Sequence, residues 1–150
     1  MITYIKGDAT APQCNSNKVI VHVCNNMGGW GKGFVLALSK KWSKPESVYR
    51  TQHKTNGLSL GDIQCIKVED DIWVINMIAQ KGYKKIGNEI PLQFDALEKC
   101  LQKTSEIVKT IGGTIHGPKF GSGLSGANWS QIEPLIEKHW HNIEVFIYEL

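Results

Sequence analysis

Lys18-Val-Ile-Val-His-Val-Cys24 is β-branched and apolar almost throughout, and it runs straight into Asn25-Asn-Met-Gly-Gly-Trp-Gly-Lys-Gly33. The first segment has no polar alternation, so it reads as a strand covered on both faces. The second is too rich in glycine to be regular structure. Phe34 to Trp42 then reads as a helix with Val35, Leu38 and Trp42 on one face. A doubly covered strand that passes through a glycine loop into a helix belongs to an α/β sheet with helices on both sides.

The rest of the chain repeats this alternation. Ile2 to Lys6 reads as a short strand, followed by a loop at Gly7-Asp8-Ala9-Thr10. Ser43-Lys-Pro-Glu46 has capping-box spacing and predicts a helix through Tyr49. Asp62 to Glu69 and Ile72 to Ala79 read as two strands joined by an acidic turn at Asp70-Asp71, and the polar stretch Lys81 to Glu89 reads as a loop. Pro91 to Ile111 is the clearest helix, with Phe94, Leu97, Leu101, Val108 and Ile111 in one stripe and Gly112-Gly113 as its stop. Thr114 to Phe120 reads as a strand, Gly121-Ser-Gly-Leu-Ser-Gly126 as a second glycine-rich loop. A capping box at Ser130-Gln-Ile-Glu133 predicts a helix to about Trp140, and Ile143 to Leu150 a last strand. The expected fold is a mixed, mostly parallel sheet, with residues 1–150 forming a single domain.

Composition narrows the partners. The 150 residues carry 17 basic and 14 acidic side chains, and Arg50 is the single arginine. Scattered lysines argue against a nucleic-acid partner, which would call for clustered, arginine-rich charge. No apolar run approaches the ~20 residues of a membrane span, and the N-terminus lacks the order of a secretory signal. Cys14, Cys24, Cys65 and Cys100 form no CxxC pair, so no metal site is expected, and dispersed thiols suit a reducing cytoplasm.

Both glycine loops follow predicted strands, so both reach the rim where such sheets bind ligands. Bare backbone there can present N–H groups to a phosphate. Neither loop is a P-loop: around Gly31-Lys32 the required glycine is Asn26 and the required Ser or Thr is Gly33. Gly121, Gly123 and Gly126 match the dinucleotide spacing GxGxxG, which opens a competing reading as a nicotinamide-dependent oxidoreductase with Glu144 as the ribose acid. Against it, the helix starts beyond the loop and one strand remains after it.

Four stretches taken together resemble the macrodomain family. Gly7-Asp8-Ala9-Thr10 is similar to its first loop element. Val21-His-Val-Cys-Asn-Asn26 with Gly29-Trp-Gly-Lys-Gly33 resembles its first ligand loop. Gly117-Pro-Lys-Phe-Gly-Ser-Gly-Leu-Ser-Gly126, with Trp129 behind it, resembles its second, and Phe146-Ile-Tyr-Glu-Leu150 is similar to the ending of one branch. That branch holds ADP-ribose 1″-phosphate phosphatases and terminal ADP-ribose protein glycohydrolases. The resemblance implies a three-layer α/β/α fold that binds ADP-ribose or a derivative, free or attached to protein, with no cofactor. It implies that Asp8, next to Ala9, meets the adenine amine. Tyr148 would lie near the adenine, and Gly121, Ser122, Gly123, Leu124, Ser125 and Gly126 would wrap the diphosphate. Asn25, Asn26, Gly29, Gly31, Lys32 and Gly33 would surround the distal ribose.

For chemistry, the resemblance points to His22 and Asn26 as catalytic, with His22 moving a proton as phosphate leaves the distal ribose. The residues alone leave His22 open between that role and a hydrogen-bonded core histidine. Where the glycohydrolase branch uses a lysine and an aspartate, this chain holds Gln80 and Ser125. A non-catalytic ADP-ribose reader and a hydrolase of O-acetyl-ADP-ribose or another ADP-ribosyl ester therefore stand beside the phosphatase.

Overall fold

The computed structural model describes residues 2–150. In chain order it comprises β1 (Ile2–Lys6), β2 (Lys18–Asn25), α1 (Phe34–Lys41), α2 (Lys44–Thr55), β3 (Ile63–Glu69), β4 (Ile72–Gln80), α3 (Phe94–Ile111), β5 (Thr114–Gly117), α4 (Trp129–His139) and β6 (Val145–Glu149). Among the described residues the strands make one sheet in the order β1-β6-β5-β2-β4-β3. Every neighbouring pair is parallel except β3 with β4, the hairpin turned at Asp70-Asp71.

Strand periodicity sorts β2 into two cores. Val19 and Val21 face α3 and α4, where Leu97, Leu101, Ile132 and Ile136 pack. Ile20 and Cys24 face the other way, onto Leu38 of α1 and Tyr49 of α2. The result is the expected three-layer α/β/α arrangement. Each fully buried aliphatic side chain contributes about 1.5–3 kcal/mol to it. No helix among the described residues is long and apolar enough to cross a membrane, and the four cysteines are free thiols.

Element ends depart from the sequence expectation where side chains found other partners. Ser43 stands at the N-cap of α2 but caps nothing, because Glu46 instead accepts from Ser39 and Arg50, and the helix continues to Thr55. The capping box of α4 is Asn128 with Gln131, two residues earlier than Ser130 with Glu133. Helix α3 begins at Phe94 rather than Pro91, because Leu92 is drawn into a bridge with Gln80. Strand β5 ends at Gly117 instead of Phe120, and β6 spans less than Ile143 to Leu150.

Candidate functional site

Strand β2 passes to α1 on one face of the sheet, while its neighbour β5 passes to α4 on the other. Adjacent strands with diverging connections leave a crevice at their carboxyl ends. A cavity of about 760 Å³ occupies that place, walled by both glycine loops, by the ends of β2 and β4, and by the first turn of α1.

The first loop is shaped by one amide. Asn25 Oδ1 accepts from the N–H groups of Met27 and Gly29 and from the Tyr49 hydroxyl, while Asn25 Nδ2 donates to the Gly29 carbonyl. Helix α2 braces the loop further, since Arg50 donates to the Gly28 carbonyl. Indole Nε1 of Trp30 donates to Ser39. At Gly29 an added Cβ would come within 2.4 Å of the Tyr83 ring, so that exposed ring would have to swing away from the loop.

The second loop relies on backbone. Leu92 N–H donates to the Ser125 carbonyl and Ala127 N–H to that of Gly121. Gly121 has φ +78°, and an added Cβ would lie 2.9 Å from Ile132, so both conformation and space require glycine. Leu124 leans toward the first loop, 3.7 Å from the Cβ position of Gly33. Among the described residues, the amides of Gly121, Gly123, Leu124 and Ser125 find no acceptor in the protein, nor do those of Gly31, Lys32 and Gly33. The first turn of α1 likewise carries no side-chain cap. Rows of free N–H groups on residues around one hollow suit an anion.

Charge agrees with that geometry. Lys32, Lys84 and Lys119 line the cavity, and among the described residues no carboxylate does. Lys119 pairs with Glu149 outside it, whereas Lys32 and Lys84 have no ion pair among the described residues. Gln80 donates through Nε2 to the Gly82 carbonyl, which turns its Oε1 toward Ser125. The Ser125 hydroxyl donates to that oxygen at 2.5 Å. The site therefore holds a neutral serine–glutamine pair.

His22 forms part of the cavity wall yet is only 2% exposed. Its Nε2 lies 2.5 Å from Asn76 Oδ1, and the Trp30 ring meets it edge-on. Burial pulls the imidazole down to about 4, so it is neutral near pH 7.

The structure brings most of the expected residues together. His22, Asn25, Gly29, Gly31, Lys32 and Gly33 meet Gly121, Gly123, Leu124 and Ser125 around the cavity. Six expected residues are not part of its wall. Asn26 is occupied elsewhere: its Oδ1 accepts from the Gly82 N–H, tying the Lys81–Glu89 loop to β2. Ser122 donates back to the Lys119 carbonyl, and Gly126 closes the loop's last turn onto Gly123. Asp8 is exposed near Ala9, which is buried, and the Thr10 amide and hydroxyl donate to its carboxylate and hold it below the usual range. Tyr148 is buried, its hydroxyl hydrogen-bonded to His116 Nδ1 and accepting from the Gln13 N–H. Glu144 precedes β6, at the opposite end from the glycine loops, which removes the acid the dinucleotide reading needed.

The structure adds Phe34, Tyr83, Lys84 and Lys119 to the wall. Phe34 was legible as the residue after the loop; Tyr83 and Lys84 sit in a stretch whose polarity resembles plain solvent-facing loop.

No family model matches the chain. Solved structures are more telling. A macrodomain protein from Streptomyces coelicolor is 40% identical, with TM-score 0.88 over 100% of this chain and 99% of that one. This chain belongs to the macrodomain family. A structure from Bacteroides thetaiotaomicron is 43% identical, with TM-score 0.96 over 100% of this macrodomain and 98% of that chain. At 21% identity, Thermosipho africanus DarTG, solved in complex with ADP-ribose, shares the fold, with TM-score 0.77 over 98% of this chain and 41% of that one. The mouse chromodomain-helicase-DNA-binding protein 1-like is 30% identical over 98% of this macrodomain, which spans 17% of its length and 14% of its zebrafish counterpart's. The ADP-ribose 1″-phosphate phosphatase of Candida albicans is 24% identical, over 99% of both chains.

Proposed function

We propose that this macrodomain binds ADP-ribose and hydrolyses ADP-ribose 1″-phosphate. The observation that carries the reading is the cavity itself: among the described residues, free backbone amides from two loops, three lysines and no carboxylate surround one hollow. Such a wall favours a ligand with several phosphate charges over a neutral or cationic one. Near full-length similarity to fungal proteins of that activity supports the phosphatase over other hydrolases.

In the proposed reaction the two loops hold the diphosphate and the distal ribose, and the terminal phosphate lies beside the β2 end. Water attacks phosphorus, the bond from phosphorus to the 1″ oxygen breaks, and the products are ADP-ribose and inorganic phosphate. Neutral His22 takes the proton of the attacking water, and the leaving oxygen is protonated from solvent. Asn25 and Asn26 keep the loops in place, and Asp8 and Tyr148 mark the adenine side. The 2% exposure of His22 favours a second reading, a reader that binds ADP-ribose without turnover.

Phosphorus NMR of ADP-ribose 1″-phosphate mixed with the protein separates them. A growing inorganic phosphate signal is the expected result. Shifted diphosphate resonances without released phosphate would establish the reader. An unchanged spectrum with protein in excess would overturn ADP-ribose as the ligand.

A further inference from the structure

A row of buried polar side chains crosses the face of the sheet covered by α1 and α2, behind the cavity. His22 of β2 lies opposite Asn76 of β4, and Asn76 lies opposite Gln64 of β3. Gln64 reaches on to Gln52 of α2. Asn76 is fully buried and Gln64 nearly so. Amides in such a place cost free energy unless every group is bonded. An apolar side chain at 76 would suit the surrounding core better, so the amide calls for a reason.

The orientation of each amide follows from groups that can only accept. The Pro45 carbonyl lies 3.2 Å from one amide atom of Asn76, which must therefore be Nδ2. The second proton of Nδ2 goes to Gln64 Oε1 at 3.0 Å. Gln64 is oriented independently, because its Nε2 faces the Val48 carbonyl and Gln52 Oε1. What remains to Asn76 is Oδ1, and it faces His22 Nε2 at 2.5 Å. An acceptor there requires the proton to sit on Nε2.

We infer that Asn76 is a positioning residue that holds His22 as the Nε2–H tautomer, leaving Nδ1 as the one ring nitrogen able to take a proton from a molecule in the cavity. The inference rests on the proposed role of His22, although the tautomer itself does not. Around the ring, the Cys24 thiol lies 3.8 Å from both nitrogens, and burial keeps it protonated. The Trp30 and Phe34 rings and the Asn76 amide, which also pack on it, carry no charge. Because the row consists of amides, its orientation does not change with pH. A misplaced imidazole proton can cost up to about 10⁴-fold in a histidine-dependent reaction.

The test is nitrogen-15 NMR of the full chain, read together with turnover. In the wild type, His22 Nε2 should resonate as a protonated nitrogen and Nδ1 as an unprotonated one. Asn76→Leu should mix the tautomers and lower kcat at least about tenfold, with ADP-ribose affinity unchanged. Asn76→Asp keeps the acceptor and adds a charge. It should therefore retain the tautomer and move the acid limb of the kcat profile to higher pH, a shift that a merely structural role would not produce. A wild-type His22 protonated on Nδ1 would overturn the inference, whatever the activity. So would an Asn76→Leu protein with wild-type turnover and pH profile, when His22→Ala is inactive. If the wild type releases no phosphate, the proposed activity fails, and the tautomer spectrum alone decides the role of Asn76.

Discussion

His22 and His116 sit two strand positions apart across the β2–β5 pair and are alike in almost every local respect. Both are buried, both stand in β-branched strands, and burial holds both near 4. They differ in what their second nitrogen meets. His116 uses both, with Nε2 at 2.7 Å from Thr114 Oγ1 and Nδ1 at 2.8 Å from the Tyr148 hydroxyl, and the Phe146 ring stacked on it. His22 spends Nε2 on Asn76, and its Nδ1 has only the weak Cys24 sulfur nearby, at the wall of the cavity. Burial and a lowered pKa therefore do not distinguish a structural histidine from a reactive one. The proposed role of His22 rests on its unspent nitrogen.

Substituting each histidine in turn tests that difference most severely. His22→Asn should reduce phosphate release by about 10²-fold or more while ADP-ribose affinity, measured calorimetrically, stays within about twofold. His116→Asn should leave turnover within about twofold and lower the melting temperature instead. Equal losses of turnover in the two variants would erase the contrast.

Acid brings out what the two histidines share. Each titrates near 6.5 when unfolded and near 4 when folded. Between those values the unfolded chain binds more protons, so stability is complete above about pH 7 and falls as pH drops from 6.5 toward 4. The loss is on the order of 3 kcal/mol per histidine. Denaturant midpoints from pH 7.5 to 4 should show it, and His116→Phe should remove about half of the slope. A flat profile would mean that the imidazoles keep their ordinary affinity for protons.

A smaller effect comes from Tyr148→Phe. It leaves His116 Nδ1 and the Gln13 N–H without partners and should cost about 1–3 kcal/mol. Because Gln13 belongs to the loop that carries Asp8, amide exchange between Gly7 and Gln13 should quicken. The exchange of the Gly121–Gly126 loop should not change. Uniform quickening in both loops would show that the two regions are one mechanical unit.

Local patterning reveals much of this molecule. The apolar run Val19–Val23, the stripe along α3 and the two glycine loops are visible one residue after another, because strand and helix periods act over a few positions. Capping was harder to place. Ser43 and Ser130 had the right spacing, yet Glu46 was taken by Arg50, and Asn128–Gln131 offered an equal signal two residues earlier. The polar loop at Tyr83 and Lys84 gave no hint that it closes a cavity wall, because that depends on β4 ending beside β2.

By itself, then, the sequence determined the order of strands and helices, though not the ends of β5 and β6, and that both glycine-rich loops follow strands to one rim. The tertiary structure alone decided the company His22 keeps. Asn76 is far from it in sequence and meets it because β4 pairs with β2, while Gln64 reaches it only through Asn76, in a register that aligns the three side chains. A strand's period of two sets the face on which a side chain stands. Long-range pairing, which no local pattern encodes, sets its neighbour on that face and hence the ring nitrogen that is left free.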